Sequence, residues 1–562
     1  MSGHGDRLRH MAQRYRTILA YTGLVWAVAS VPIAAPLLLL LLRPQEHEVL
    51  VPVAVPALAL LVSGTALWCA WRPSTRPALG TAEGAVIVVL AWFGAVGAAA
   101  AAFAAAVGLD ATQAVFESAS AWTTTGLSVV DVAHAPETVL LLRSTLQLAG
   151  GAGLAILMVA TASGPAGIGL SSAEAREDQL VPHVVRSASI VVRLYAAYAV
   201  LGVAALHVAG MGWLDAVNHS FAAVSTGGFS TRADSIGAWD DPWIEGVTIV
   251  LMLLGATNFV TAYALVRGRF RAVARNAELR LTALLLPLGA ALVFAFVAVP
   301  LHASLPRAAR IAVFEVASAL TTTGYSTTTY GSWPAVGWIV MIALMLVGGG
   351  TGSTAGGLKQ ARVSVLGSIC RAELRRAHLP AGSVCPPRTT DADGARVVLD
   401  DDTVRRTTAF VFLYAVTLLV GTTVIAACGY DLRSALFEMS SALGTVGLSV
   451  GVTAPGAPGA VLWTETAAML LGRLEFVAVV LCARRVGADL LAYAAALRAA
   501  RQRAHRTIRA RAAVRPARPA AAPAHTADRH ASCPGGTCAA AASPTARDDA
   551  SQAQRSPPAS PV

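Results

Sequence analysis

The sequence predicts an all-α polytopic membrane protein in which four parallel helix, pore-loop, helix repeats surround a pseudo-four-fold axis, preceded by two N-terminal helices. Three observations support this fold class: an apolar composition, a series of long apolar runs, and a short polar element that occurs four times. Of the 562 residues, 55% are hydrophobic and 13% are charged, which is about half the charged share of an ordinary soluble protein. A soluble enzyme of this length would leave too much apolar surface uncovered, and a disordered chain would have the opposite composition.

Ten apolar runs are long enough to cross a bilayer, which takes roughly 20 residues. They lie near residues 17–43, 49–71, 82–107, 139–163, 187–209, 243–266, 281–302, 336–357, 406–428 and 461–483. Ten crossings place both termini on one side. The basic residues are concentrated in the segments on that side, most densely at Arg267, Arg269, Arg271, Arg275 and Arg280. Because cytoplasmic loops carry the excess of Lys and Arg, we expect a multi-pass protein of the inner (cytoplasmic) membrane with both termini cytoplasmic.

These features divide the chain into seven parts. The predicted parts are the two extra helices (1–80), repeat 1 (81–175), repeat 2 (176–275), repeat 3 (276–370), a cytoplasmic insert (371–404), repeat 4 (405–498) and a disordered basic tail (499–562). The tail carries ten arginines against three aspartates and has no apolar periodicity. This composition favours contact with the charged face of a lipid bilayer and not with nucleic acid.

One short polar element occurs four times between the long runs. We call the copies segments 1 to 4; they are Phe-Glu-Ser-Ala-Ser-Ala-Trp-Thr-Thr-Thr-Gly-Leu-Ser (116–128), Asn-His-Ser-Phe-Ala-Ala-Val-Ser-Thr-Gly-Gly-Phe-Ser (218–230), Phe-Glu-Val-Ala-Ser-Ala-Leu-Thr-Thr-Thr-Gly-Tyr-Ser (314–326) and Phe-Glu-Met-Ser-Ser-Ala-Leu-Gly-Thr-Val-Gly-Leu-Ser (437–449). Every copy has a threonine two residues before a glycine and a serine two residues after it. An even number of crossings per unit makes all four units enter from the same side, which predicts parallel repeats around a central axis.

The chemistry of these segments suits a monovalent cation. Non-helical backbone at membrane depth is tolerated only where protein buries it or water reaches it. Rings of carbonyl oxygens and threonine hydroxyls can replace the hydration shell of an ion, and glycine allows the backbone to aim its carbonyls together. The predicted ion-binding residues are Thr124, Thr125, Gly126, Thr226, Gly227, Gly228, Thr322, Thr323, Gly324, Thr445, Val446 and Gly447.

Polar residues near the start of each segment are expected to serve these loops. Glu117, Glu315 and Glu438 occupy equivalent positions, with His219 in the second segment. Their possible roles are hydrogen bonds that support the loop, attraction of ions, or a direct ion site, and we favour the first. Separately, Asp110 and Asp431 each lie at the same distance before the glycine of their segment and are predicted N-caps of short helices.

A glycine-rich stretch interrupts the run at 336–357, where a regular helix would be expected. It contains Gly348, Gly349, Gly350, Gly352, Gly356 and Gly357. We predict an unwound intramembrane loop here. Two charged residues are also candidates for function. Arg473 falls near the middle of a crossing, where a charge costs several kcal/mol. Lys359 is the only lysine of the chain.

At these residues the sequence resembles the Trk/Ktr/HKT superfamily of potassium transporters, and the two extra N-terminal helices resemble its TrkH branch. Beyond the four segments, the matching motifs are Val-Gly-Gly-Gly-Thr-Gly-Ser-Thr-Ala-Gly-Gly-Leu-Lys (347–359) and Leu-Leu-Gly-Arg-Leu-Glu (470–475). Gly-Gly-Ala-Gly (150–153), after Gln147, is similar to the second helix of the family's first repeat.

The resemblance implies potassium uptake through a single-file pore, with K⁺ as the transported ion at the filter residues and no covalently bound cofactor. It implies a homodimer gated by a separate cytosolic nucleotide-binding regulatory ring (TrkA-like). It also implies that residues 348–357 obstruct the pore below the filter, with Arg473 beside this loop. We place Lys359 in the gate as well. Gly126, where a related branch has serine with sodium transport, favours potassium.

Two alternatives remain open at the level of sequence. One is a sodium- or proton-coupled potassium symporter, for which Glu83, Glu117 and Glu475 are candidate coupling carboxylates. The other is a membrane enzyme, which we do not expect because no His/Cys/Asp cluster or nucleophile elbow lies near the membrane surface. The sequence has no dinucleotide-binding fingerprint, so control by a nucleotide would require a partner chain.

Overall fold

The computed structural model describes residues 3–73, 80–153, 184–302, 304–380, 383, 385–390 and 396–513. It forms two compact units, residues 1–497 and 498–562, and all four segments belong to the first. The second half of the run at 139–163, part of the insert and most of the tail lie outside the described residues. The predicted domain boundaries therefore stay predictions.

The described secondary structure is almost entirely helical. The α-helices are Gly3–Ala34, Leu50–Trp71, Thr81–Val107, Ala111–Thr123, Glu137–Ala152, Val184–Val208, Trp213–Val224, Pro242–Ala256, Phe259–Val266, Phe270–Arg275, Ala277–Val293, Val299–Leu301, Leu305–Leu320, Ala335–Val347, Gln360–Arg376, Asp401–Ala427, Leu432–Leu443, Gly459–Leu474 and Phe476–Ala513. Short 3₁₀ or π turns occupy Ala35–Leu41, Pro44–Val49, Ser235–Ala238 and Phe294–Ala298. Two strands, Arg388–Thr390 and Arg396–Val398, form an antiparallel hairpin within the predicted insert. The all-α fold class is confirmed.

Six described helices are long and apolar enough to cross a membrane, or up to eight spans if two bent pairs are included. The predicted runs at 243–266 and 461–483 are not continuous helices, because they bend by 112° and 99°. In the first, Asn258 accepts a hydrogen bond from the Val260 amide and starts a new helix. In the second, Glu475 has a positive φ of 60°, which an α-helix cannot contain.

In each repeat the helix that follows the segment, which we call the inner helix, stops or bends. The inner helices of repeats 1 to 4 are Glu137–Ala152, Pro242–Ala256, Ala335–Val347 and Gly459–Leu474. The inner helix of repeat 1 ends at Ala152, and that of repeat 3 is only the 13-residue helix Ala335–Val347, after which residues 348–359 are non-helical. The prediction of an unwound stretch in repeat 3 agrees with this backbone. Glycine permits it, since Gly348, Gly352 and Gly357 have φ values of 71°, 67° and 76°.

The two N-terminal helices pack against each other through glycines. A Cβ on Gly64 would collide with the Gly23 carbonyl, and a Cβ on Gly23 would collide with the Gly64 carbonyl, so the backbones are in direct contact. The Trp26 indole N–H donates to the Leu90 carbonyl at 3.3 Å and ties this pair to repeat 1. Small residues allow such close helix contacts in membranes, where packing replaces the hydrophobic drive for association.

Four short helices, Ala111–Thr123, Trp213–Val224, Leu305–Leu320 and Leu432–Leu443, precede the glycines of segments 1 to 4. We call them short helices 1 to 4. Asp110 accepts from the Gln113 amide at 2.9 Å and Asp431 from the Ser434 amide at 3.2 Å, so both predicted N-caps are present. Phe116, Phe314 and Phe437, which begin segments 1, 3 and 4, are fully buried and fix these helices in the core.

Candidate ion-binding site and gate

The four segments share one backbone conformation at the end of their short helices. The threonines Thr124, Thr226, Thr322 and Thr445 have φ values of 57°, 51°, 54° and 48°. The glycines two residues later, Gly126, Gly228, Gly324 and Gly447, have φ values of 98°, 70°, 85° and 96°. A left-handed conformation costs a non-glycine residue roughly 1–2 kcal/mol. Its recurrence at four threonines therefore indicates a common structural requirement, which even the divergent second segment meets.

The four segments form a closed ring. An added Cβ on each glycine would collide with the carbonyl oxygen of the residue before the glycine in the next segment. The pairs are Gly126 with Gly227, Gly228 with Thr323, Gly324 with Val446, and Gly447 with Thr125. Segments 1, 2, 3 and 4 thus follow one another around a central point, and segment 4 returns to segment 1. No side chain larger than hydrogen fits at these positions without displacing a backbone carbonyl.

The amides of the ring are bonded to the short helices. The N–H of the residue before each glycine donates to a carbonyl five residues earlier: Thr125 to Ser120 at 3.0 Å, Gly227 to Ala222 at 2.7 Å, Thr323 to Ser318 at 3.0 Å and Val446 to Ser441 at 2.8 Å. In segments 1 and 4 the glycine N–H also donates to a serine hydroxyl. These donors are therefore already occupied, which leaves acceptor oxygens as the groups available to a cation.

Two threonine hydroxyls in the ring are buried and have no hydrogen-bond partner among the described residues, those of Thr124 and Thr445. The hydroxyl of Thr226 donates to the Ser225 carbonyl at 2.7 Å, and that of Thr322 accepts from the Gly356 amide at 2.7 Å. A buried polar group without a partner costs about 1–3 kcal/mol. Two such oxygens at equivalent positions fit a cation, which would be their missing partner.

Glu117, Glu315 and Glu438 are fully buried and hold the chain that follows each glycine. Each accepts from the backbone amide twelve residues later, of Val129 at 2.9 Å, Thr327 at 2.7 Å and Val450 at 3.1 Å. In segment 2 the His219 imidazole lies 2.9 Å from the hydroxyl of Ser230, the serine eleven residues later, and Glu117 and Glu438 also bond the serine at that spacing. Of the three roles that the sequence allowed, these contacts favour support of the loop.

Two residues that the sequence reasoning did not assign also support the ring. Arg143 forms an ion pair with Glu117 at 2.8 Å, and its guanidinium lies 3.9 Å from the centre of the Phe229 ring. Gln147 donates to the Gly227 carbonyl at 2.5 Å and accepts from the Phe229 amide at 3.2 Å. The available signal was a charge and an amide inside an apolar run, where polar groups need a partner.

A cavity of about 660 Å³ opens beside the glycines. It is lined by the four glycines of the ring and by the serines that follow them, Ser128, Ser230, Ser326 and Ser449. Charged side chains at its wall are Asp131, Arg143 and Arg232. Arg143 and Arg232 are paired with Glu117 and Asp215, so the positive charges at the cavity wall are compensated.

The glycine-rich stretch, residues 348–357, which we call the glycine loop, lies against the threonine end of the ring. The Thr354 hydroxyl is 3.2 Å from that of Thr226, and the Gly356 amide donates to the Thr322 hydroxyl. A Cβ on Gly356 would collide with the Thr445 hydroxyl. The loop therefore contacts three of the four ring threonines on the side away from the cavity.

Arg473 connects the glycine loop to repeat 1. One of its terminal nitrogens donates to the Thr354 carbonyl at 2.6 Å, and the other donates to the Gly150 carbonyl at 2.6 Å. The arginine thus lies beside the loop and bonds its backbone. Gly349 and Gly350 are held from another side, where the Gly350 amide donates to the Ala256 carbonyl at 2.9 Å. The loop is therefore fixed by contacts with repeats 2 and 4, and Arg473 links it to repeat 1.

Residues 58–488 match the model of the TrkH family, described as a cation transport protein. The chain belongs to the TrkH family. The Trk system potassium uptake protein TrkH of Halomonas elongata is 30% identical over 480 residues, which cover 83% of this chain and 97% of that protein. The protein of the same name from Escherichia coli K12 is 31% identical over 478 residues, covering 82% of this chain and 96% of the relative.

A solved structure supports the same assignment. The potassium transporter TrkH from Vibrio parahaemolyticus superimposes with a TM-score of 0.73 at 28% identity, covering 83% of this chain and 98% of that one. The all-α membrane fold class of this TrkH-family chain and its resemblance to the TrkH branch are therefore confirmed. It is a multi-pass membrane protein of the TrkH type.

Two residues after the glycine loop of this TrkH-family chain, Lys359 contacts Glu475. The Lys359 ammonium lies 3.4 Å from one oxygen of Glu475, and Arg362 donates to the other oxygen at 2.6 Å. Sequence spacing correctly separated Glu475 from Arg473. It could not identify these partners, because they lie more than a hundred residues away.

The three carboxylates proposed for ion coupling in a symporter are all engaged in ion pairs. Glu83 is paired with Arg485 at 3.0 Å, Glu117 with Arg143, and Glu475 with Lys359 and Arg362. Across the described parts of the chain, no group of three or more His, Cys, Asp or Glu side chains could hold a metal ion. The roles of the predicted ion-binding and gate residues stay predictions, since their placement alone does not test them.

Proposed function

We propose that this TrkH-family chain takes up potassium across the cytoplasmic membrane, through the ring formed by segments 1 to 4. The observation that carries the proposal is the closed ring itself, with carbonyls in contact with the neighbouring glycines and two buried threonine hydroxyls unpartnered among the described residues. Relatives named as Trk system potassium uptake proteins support potassium as the ion. The inner membrane location and the cytoplasmic termini are supported by the distribution of basic residues.

Potassium is the transported ion and needs no covalently bound cofactor in this mechanism. The ion leaves water in the 660 Å³ cavity and exchanges hydration oxygens for the carbonyls and hydroxyls of the ring. The short helices end at the ring, where each C-terminus carries roughly half a negative charge. Their combined field favours a cation at the centre and disfavours an anion.

The glycine loop is the gate of this pathway. It lies against the ring threonines on the side opposite the cavity, so an ion that leaves the ring toward the cytoplasm meets Thr354 and Gly356. Opening requires the loop to give up its bonds to Gly255, Ala256 and Arg473. Each bond between neutral groups has a net contribution of about 1 kcal/mol, and the bond to Arg473 contributes about 1.5–3 kcal/mol, so a modest input of binding energy can shift the loop between two positions.

That input comes from a partner chain. We infer a cytosolic nucleotide-binding regulatory ring (TrkA-like) and a homodimer of the membrane subunit. The inference rests on the family resemblance, on the names of relatives that refer to a Trk system, and on a sequence without a nucleotide-binding fingerprint of its own. The helix Gln360–Arg376 begins three residues after the glycine loop and ends in Arg375 and Arg376. We expect this helix to transmit the movement of the partner to the loop.

The alternative function is a sodium- or proton-coupled potassium symporter, and the described contacts do not favour it. Its candidate carboxylates are all ion-paired, and removing an ion-paired carboxylate from its partner to bind a coupling ion would be costly. Purified protein in vesicles separates the readings by its reversal potential under imposed potassium, sodium and proton gradients. A potential that follows potassium alone supports the pore, whereas a term in sodium or protons overturns it in favour of coupling.

A further inference from the structure

Two buried glutamates near segment 4 both contact Thr453. Glu438 belongs to short helix 4 and Glu465 to the inner helix Gly459–Leu474, and neither side chain is exposed at all. Thr453 lies between them. Its amide donates to Glu438 at 3.2 Å, and its hydroxyl lies 3.2 and 3.1 Å from the two oxygens of Glu465.

The donors available to these four oxygens are unevenly distributed. One oxygen of Glu438 accepts from the Ser449 hydroxyl and from the amides of Val450, Val452 and Thr453. Its other oxygen, Oε2, is buried and has no hydrogen-bond partner in the part of the chain that the structure describes. A threonine hydroxyl has only one proton, so it can donate to just one oxygen of Glu465 at a time. At least two buried carboxylate oxygens therefore lack a donor.

Two other buried carboxylates of the described chain are neutralised by arginine, whereas Glu315 of segment 3 is held by the amide and hydroxyl of Thr327 and by the Tyr330 hydroxyl. Glu117 in segment 1 is paired with Arg143 at 2.8 Å, and Glu245 on the inner helix of repeat 2 accepts two bonds from Arg310 at 2.6 and 2.9 Å. Within the described residues, neither Glu438 nor Glu465 takes part in an ion pair. Two adjacent buried anions without a cation would carry an uncompensated desolvation penalty as well as mutual repulsion.

The elements that pack around the pair do not supply the missing charge. From short helix 1, Glu117 is bonded to Arg143 and Asp110 caps the helix. From short helix 4, Asp431 is a cap and the Arg433 guanidinium lies over the Trp338 ring at 4.2 Å. From the helix Asp401–Ala427, Arg405 is paired with Asp402 and Arg406 interacts with Asp400, while Tyr414 packs against Phe410 and Phe476. The described charged groups of these elements are thus engaged elsewhere.

We propose that Glu438 and Glu465 form a proton-binding site: Glu465 is an undissociated carboxylic acid whose O–H donates to Oε2 of Glu438, while its carbonyl oxygen accepts from Thr453. One proton then removes one charge and satisfies the unpartnered oxygen. Segment 4 is supported by a bound proton where segment 1 is supported by Arg143. Loss of the proton at alkaline pH places two negative charges next to each other. Their repulsion weakens the hydrogen bonds by which Glu438 holds Ser449 and Val450, after Gly447.

Infrared spectroscopy of the purified full-length protein tests the site directly. An undissociated carboxylic acid has a carbonyl stretch that is separate from carboxylate bands and shifts on deuteration. We expect this band in the wild-type minus Glu465→Gln difference spectrum at neutral pH. Glu245→Gln is the control, because a carboxylate paired with Arg310 should contribute no such band. A difference spectrum of folded Glu465→Gln without the band overturns the proposal.

A second variant keeps the test informative if Glu465→Gln does not fold. Thr453→Val removes the hydroxyl that bonds the Glu465 carbonyl, so the same band should move to higher frequency. A band that is absent from wild type, or unmoved in Thr453→Val, overturns the assignment.

The effect on transport rests on the proposed function and is measured separately. Wild-type discrimination of potassium over sodium should fall as the pH is raised, and this pH dependence should be lost in Glu465→Gln, because the glutamine amide still donates to Glu438. Equal alkaline loss in both proteins overturns the link to segment 4. If the infrared band is present but no potassium flux occurs in wild type, the proposed function fails and the proton site stands.

Discussion

Lys359 and Glu475 form an ion pair in which both residues have left-handed backbone, with φ values of 73° and 60°. The ammonium and a carboxylate oxygen are 3.4 Å apart. Lys359 ends the non-helical stretch of repeat 3, and Glu475 occupies the bend of the inner helix of repeat 4. Non-glycine residues in this backbone region store about 1–3 kcal/mol each and persist where the surroundings hold them. The ion pair therefore joins two strained helix interruptions, one in repeat 3 and one in repeat 4. If either of them moves while the pair is intact, the other must move with it.

Replacing Lys359 should loosen the closed gate. Lys359→Ala removes the contact with Glu475 but leaves Arg362 in place. We expect the closed state to lose about 1 kcal/mol of stability relative to the open state, which corresponds to about a fivefold rise in basal flux. Lys359→Arg should also alter open probability, because a planar guanidinium cannot replace a compact ammonium in this space. Single-channel recording or ion flux without the cytosolic partner measures this effect, and potassium over sodium selectivity should be unchanged.

The backbone contribution can be separated from the charge. Lys359→Gly removes the ammonium and also relieves the positive φ, so it should favour the observed loop conformation more than Lys359→Ala does. Equal basal flux in wild type, Lys359→Arg and Lys359→Ala would show that the residue is an ordinary membrane-flanking charge.

A side chain at a ring glycine should impair selectivity. In Gly126→Ser the new atoms would meet the Gly227 carbonyl, and in Gly324→Ser they would meet that of Val446. We expect the potassium to sodium permeability ratio to drop by about tenfold, corresponding to about 1.4 kcal/mol of lost discrimination. Gly97→Ser is the control, since a Cβ there meets no atom within 4 Å. Unchanged ratios in both ring variants would contradict the filter assignment.

Removing Arg473 should increase leak. Arg473→Ala deletes bonds to the carbonyls of Thr354 and Gly150, and hydrogen bonds to charged groups contribute about 1.5–3 kcal/mol. If the arginine holds the gate and repels cations, flux per folded molecule rises. If it is only a structural tie, the yield of folded protein falls and flux per molecule does not change. Arg484→Ala, at an exposed position on the following helix, is the control.

Thr354 should control the same loop from the other side. Its hydroxyl donates to the Gly255 carbonyl at 2.8 Å and lies 3.1 Å from that of Val224. Thr354→Val keeps the volume and the backbone bond to Arg473 but removes this donor, at a cost of about 1 kcal/mol. We expect a higher open probability with normal selectivity, and Thr354→Ser should retain wild-type gating. Normal gating in Thr354→Val would indicate that the backbone bonds alone fix the loop.

The Asp431 cap gives a prediction for acidic pH. The hydrogen bond from Ser434 lowers the pKa of the Asp431 carboxyl below its usual value. A group whose folded pKa is lowered stabilises the protein above its unfolded pKa, and this stabilisation is lost as the pH falls through the folded value. Asp431→Ala should cost about 1 kcal/mol of stability at neutral pH. Asp431→Asn keeps the cap and should remove the pH dependence, which thermal unfolding in detergent can measure.

Repetition made much of the site predictable. Segments 1, 3 and 4 share Phe-Glu at the start and Gly-x-Ser at the end, and local rules were enough to place the capping residues Asp110 and Asp431. Segment 2 shares fewer residues, yet its Thr226 and Gly228 adopt the same backbone. A threonine and a glycine at fixed spacing were therefore the informative part of the pattern.

The bends and the long-range pairs could not be predicted in the same way. The break at Asn258 lies within an apolar run whose hydropathy is that of a continuous span, and it depends on a capping side chain and contacts with the glycine loop. The pairing of Glu117 with Arg143 and of Glu475 with Arg362 depends on which helix faces lie together. Helical periodicity gives a face to each residue but not its neighbour.

The ring of glycines and carbonyls has a direction. Gly126 presses on segment 2, whereas the carbonyl of Thr125 in its own segment is pressed by Gly447. A side chain introduced at one ring glycine would therefore displace the backbone of the next segment first, and not that of the previous segment. A tetramer of identical chains would repeat any such change four times, but a single chain with four unequal copies can alter one step alone. Gly227, at the position held by threonine or valine in the other segments, is one such local difference, and the four sides of the ring can therefore evolve independently.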